Sequence, residues 1–82
     1  MKEVTYAQMD KALSALGFSM RVVTLDNKLR LYEHEAGVRL PLAYRPDSDP
    51  VLPHHMAAIQ GTLKVYGIAD PLDFIVQLQL TA

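Results

Sequence analysis

The chain has 82 residues, which is one small domain with room for one modest core. It contains no cysteine, so disulfides, thiol catalysis and Cys-ligated metals are excluded together. Lys and Arg number 8 against 9 Asp and Glu, a net charge of -1, and so small a cationic share argues against a dedicated nucleic-acid binder. A domain of this size is marginally stable alone, so self-association or a protein partner is expected. No apolar run is long enough to cross a bilayer and the opening MKEVTYAQMDK is too polar for a signal peptide, so the sequence points to the cytoplasm.

Thr5 and Gln8 have capping-box spacing, with Val4 and Met9 placed for a hydrophobic staple across the cap. Met9, Ala12, Leu13 and Leu16 then recur on one helical face, and Gly17 ends a helix predicted over 5–16, with Phe18 folding back on Leu13. Ser19 to Leu25 is rich in apolar and β-branched residues and reads as a strand. Asp26-Asn27 is a hairpin turn. In the strand Leu29 to His34, Leu29 and Leu31 face one way and Arg30, Tyr32 and His34 the other. Ala36-Gly37 turns the chain again into a third strand whose Val38, Leu40 and Leu42 share a face, and Pro41 marks that strand as an edge.

Ala43 to Pro53 is a loop with prolines at 46, 50 and 53, and Pro53 suits the first turn of a second helix. Met56, Ile59, Leu63 and Tyr66 define its buried face, Gly61 costs it about 1 kcal/mol relative to alanine, and Gly67 ends it. Asp70 caps a last helix with Pro71 at its first position, and Leu72, Ile75, Val76 and Gln79 follow helical spacing. Residues 77–82 fit a helix and an alternating strand equally. The predicted class is α+β, an α-β-β-β-α order with a short extra C-terminal helix. Both main helices lie on one face of a three-stranded antiparallel sheet, covering the Leu/Val stripe of the strands.

This layout, with Leu16-Gly17-Phe18 closing the first helix, Tyr32-Glu33-His34 on the hairpin, Leu40-Pro41 on the third strand and Gly67-Ile68, Asp70 and Phe74 near the end, resembles the HicA-like family of small toxins. The resemblance runs over nearly the whole chain and extends to VLPHHMAAIQGTLKVYGIAD. It implies a fold like a double-stranded-RNA-binding domain and, in active members, RNA cleavage restrained by a HicB-type antitoxin. It also implies a catalytic histidine in a Gly-Ser-His element opening the second strand, where a side chain titrating near neutrality can move a proton. Anchored on Tyr32-Glu33-His34, those three positions are Asn27, Lys28 and Leu29. The turn is retained, but the catalytic position carries a leucine that can exchange no proton.

The expected activity is therefore that of a catalytically degenerate HicA-like protein acting through contact, with a HicB-type antitoxin or a second copy of itself. The alternatives are an active ribonuclease whose catalyst has moved to His34, His55 or Lys28, and a non-cleaving double-stranded-RNA binder using Lys28, Arg30, Arg39 and Arg45. His34 reads first as a strand-end histidine, on the opposite face from position 29. His54 and His55 are adjacent on a helix and diverge by about 100°, so no metal site is expected from them, and no cofactor is expected. His55 braces the proline loop if the resemblance holds. The cations read as a solvated strand face balanced by Glu33, Glu35 and Asp26, and Asp47 and Asp49 are too few for a calcium loop.

Overall fold

Helix α1 (Tyr6–Ala15) leads into strands β1 (Phe18–Thr24), β2 (Lys28–His34) and β3 (Arg39–Ala43), then helices α2 (Pro53–Val65) and α3 (Pro71–Thr81). This computed structural model describes residues 3–81. The α+β class and the α-β-β-β-α order with its added helix are those expected. The sheet is antiparallel in the order β1-β2-β3. The segment read both ways, from residue 77 onward, is helical to Thr81, and Ala82 lies outside the described residues.

The caps follow the sequence. Thr5 Oγ1 accepts from the Gln8 N–H and Gln8 Oε1 accepts from the Thr5 N–H, the full capping box, worth about 1 kcal/mol. The next free donors of that first turn are met by the proline loop: Tyr6 N–H donates to the Asp49 carbonyl and Ala7 N–H to that of Asp47. The loop 44–53 is thus tied to the start of α1, and Thr5 forms an isolated bridge with Pro50.

The even-numbered residues of all three strands point at the helices. Phe18 and Met20 of β1, Tyr32 of β2 and Leu42 of β3 join Tyr6, Met9 and Leu13 of α1, Ile59 and Leu63 of α2, and Phe74 and Leu78 of α3 in one core. Helix α1 packs on β1, α2 on β3, and α3 against both other helices.

Two expectations about faces are overturned. The side of β2 that meets the helices is not the Leu29/Leu31 side but that of Arg30, Tyr32 and His34, and Leu29 and Leu31 lie half-buried on the sheet's other face. The register explains this, because Tyr32 pairs with Met20 on one side and Leu40 on the other, and Arg30 with Val22 and Leu42. The apolar stripes of β1 and β3 therefore drag the polar side of β2 inward. On α2, Tyr66 is exposed rather than buried and His55 joins Ile59 and Leu63 inside, while on α3 Phe74 and Leu78 are buried and Leu72 and Val76 exposed. Gly67 turns the chain at φ +64 between α2 and α3, and Phe74 and Leu78 of α3 face inward.

Candidate functional site

Arg30 is fully buried. Its Nη1 donates to Asp10 Oδ2 at 2.6 Å, its Nη2 to Asp47 and to the Arg45 carbonyl at 2.8 Å, and its Nε to that same carbonyl at 3.2 Å. The guanidinium carbon lies 5.0 Å from the Tyr6 ring centre and 5.2 Å from that of Tyr44. Tyr32, equally buried, donates its O–H to Asp10 Oδ1. One carboxylate of α1 thus receives both inward polar groups of β2, and Arg30 also fastens the proline loop through Arg45 and Asp47.

Burial by itself would lower the Arg30 pKa, but the hydrogen bonds to Asp47 and Tyr32 and the charge of Asp10 outweigh it and hold the group above its ordinary value. Burial, followed by the bond to Asp10, pushes the Tyr32 phenol well up, so it remains a neutral donor. The sequence alone places Arg30 on a solvated strand face, or in the alternative against phosphates. It is instead an internal strut that no phosphate can reach.

His34 is held at both ring nitrogens. The Ala36 N–H donates to Nδ1 at 3.0 Å, so the ring proton is on Nε2, which donates to the Leu16 carbonyl at 3.0 Å. Phe18, its cross-strand partner, lies with ring centres 4.9 Å apart. Gly17 sits at φ +97, and a Cβ there would come within 3.1 Å of His34 Nε2. Leu16-Gly17-Phe18 and Tyr32-Glu33-His34 are therefore one mechanical unit: carbonyl acceptor, bare backbone, ring platform and histidine.

His54 is exposed and His55 buried, with ring centres 4.5 Å apart. The Tyr6 hydroxyl accepts from the Leu52 N–H at 3.2 Å, which leaves its own proton for His55 Nδ1, 2.6 Å away. His55 thereby braces the end of the proline loop and the first turn of α2 against α1. Burial, with the neighbouring charges of His54 and Arg45, lowers its pKa, so it sits as neutral imidazole.

The other candidates are dispersed. Lys28 Nζ lies 4.1 Å over the Tyr44 ring. Arg39 reaches Glu33 at 3.5 Å, Arg21 reaches the same carboxylate at 2.9 Å, and Arg45 pairs with Asp49 at 3.3 Å. Leu29 stands on the open sheet face between Val23 and Ala43, with Leu31 and Pro41 beyond. That face is apolar at its centre, and Arg21, Glu33 and Arg39 form one border.

Among the described residues no three His, Asp or Glu side chains come together as a metal-ligand set. No described helix is long and apolar enough to cross a membrane. A groove of about 540 Å³ runs between α1 and α3, lined largely by Ala12, Ala15, Leu16, Ala69 and Phe74. None of His34, His55, Lys28 or Leu29 borders it. Comparison with family models, curated proteins and solved structures returns no match.

No local sequence motif marks the buried Asp10–Arg30–Tyr32 group as a unit. Its signal lay in the even-numbered apolar residues of β1 and β3, which fix the inward side of a paired strand whatever its own residues are.

Proposed function

We propose that this chain is a HicA-like protein of toxin–antitoxin type that works by protein contact, with an antitoxin-type partner or with another copy of itself, and that it does not cleave RNA. The observation carrying this reading is the position of Leu29. It stands where the resemblance places the catalytic histidine, on the open face of the sheet, with Val23 and Ala43 as its cross-strand neighbours. A leucine there can neither transfer a proton nor bind a phosphate, whereas an apolar patch on a sheet suits another protein.

The relocated-catalyst alternative has little to draw on. His34 has both nitrogens engaged, His55 is buried under Tyr6, and Lys28 lies over an aromatic ring 4.1 Å away. The double-stranded-RNA alternative loses Arg30 to the core and finds Arg39 and Arg45 facing carboxylates.

The test is co-expression with a HicB-type antitoxin, followed by purification through a tag on one of the two. A stable complex, with RNA left intact by the chain alone, is the expected result. RNA cleavage by the purified chain refutes the reading.

A further inference from the structure

The two edges of the sheet differ. The β3 edge is short, carries Pro41 in its middle and opens with the exposed Arg39, both features that discourage pairing with another strand. The β1 edge has neither protection. It runs seven residues, FSMRVVT, without proline and with Arg21 as its single charge. Its backbone makes no hydrogen bond to any described segment beyond the ladder with β2. Exposed apolar side chains gather there: Val22 is 45% exposed although it points toward the helix side, and Leu25, just past the strand, is 75% exposed.

We infer that β1 pairs antiparallel with β1 of a second copy of this chain, about a two-fold axis at Val22, joining two three-stranded sheets into one of six strands. This deepens the self-association arm of the proposed function and rests on it. The choice of occupant comes from the edge's self-complementarity. With Val22 opposite its own copy, Met20 falls opposite Thr24, Arg21 opposite Val23, and Ser19 opposite Leu25.

Val22 and Met20 then share the helix side with their partners, and the unpaired edge groups of both chains are satisfied at once. The single charge never meets its own copy, and Arg21 already has Glu33 at 2.9 Å. A register centred on Arg21 would place two guanidinium groups directly opposite, a destabilising pair. The sheets would also join their apolar outer faces into one surface carrying Val23, Leu29 and Leu31 from each chain.

The absence of cysteine makes the register directly testable. Val22→Cys places two thiols on the axis, with Cβ atoms about 4.5–5.5 Å apart before the bond draws them together. Thr24→Cys places its two thiols four strand positions apart, too far to bridge. Wild type is expected to sediment at twice the 9.2 kDa monomer mass. Under mild oxidation V22C is expected to cross-link and T24C to remain uncross-linked.

A wild type that sediments as a monomer at millimolar concentration overturns the inference. So does a dimer in which V22C stays uncross-linked, or in which T24C or Leu72→Cys on α3 links instead. In those dimeric cases self-contact stands while this edge does not, whereas RNA cleavage would remove the functional reading itself.

Discussion

Replacing Arg30 by methionine keeps most of the apolar stem and deletes the guanidinium. Four hydrogen bonds go with it: two to the Arg45 carbonyl and one each to Asp10 and Asp47. Asp47 is 68% exposed, so its pairing contributes at most about 1 kcal/mol. Asp10 is only 21% exposed and is left holding its charge with Tyr32 alone. Breaking a buried pair from one side costs about 3–5 kcal/mol, and the residual exposure of Asp10 puts this case near the lower end. The orphaned Arg45 carbonyl adds about 1 kcal/mol, for a total of about 4 kcal/mol.

A domain of this length holds only about 4–12 kcal/mol in all, so R30M should lie close to unfolding at 37 °C. Urea titration followed by circular dichroism, run in the cold, measures the loss. Asp47→Asn should cost less than about 1 kcal/mol in the same assay. Asp10→Leu, Arg30→Met and Tyr32→Phe combined should recover at least half the loss, because no charge or hydroxyl is then stranded. If R30M falls within about 0.5 kcal/mol of wild type, as a surface change would, the buried strut is refuted.

Tyr6→Phe removes the hydroxyl shared by His55 and the Leu52 N–H and should cost about 1–3 kcal/mol at pH 7.5 by the same titration. Because the folded pKa of His55 is lowered, the unfolded chain binds the extra proton first as pH drops. Stability should therefore be full above about pH 6.5 and decline below it, and urea midpoints for His55→Phe should show a smaller decline. Gly17→Ala should destabilise by about 1–2 kcal/mol from the positive φ alone, and the crowding of His34 Nε2 should shift the ring's NMR resonances. Gly61→Ala should instead stabilise by about 0.5–1 kcal/mol, since a Cβ there meets nothing within 4 Å and the position is helical. Thermal melts of the two glycine variants should move in opposite directions.

The elements of this fold are legible because their signals are local. The Thr5–Gln8 capping box, Gly17, Pro53 and Pro71 each fix a boundary through backbone geometry that neighbouring residues alone decide. What lies inside is decided elsewhere. Strand alternation assigns Leu29 and Arg30 to opposite faces but does not say which face is covered, and the apolar stripes of β1 and β3 settle it against the hydrophobicity of β2 itself. Arg30 can go inside only because Asp10, twenty positions earlier, and Asp47, seventeen later, arrive at the same place. The same holds for His55, whose partner Tyr6 is 49 positions away. On α3 the apolar residues at 72, 74–76, 78 and 80 surround the helix, so periodicity alone could not choose its buried side, and packing against α1 and α2 takes Phe74 and Leu78.

The proposed function turns on Leu29, which stands where the HicA-like resemblance would place a catalytic histidine. Incubating the purified chain with a labelled messenger RNA, beside His34→Ala and His55→Ala variants, tests it most directly. The account predicts that wild type leaves the RNA uncut over hours, as both variants do. RNA cut by wild type and spared by either folded variant would place a working catalyst at that histidine and contradict the account.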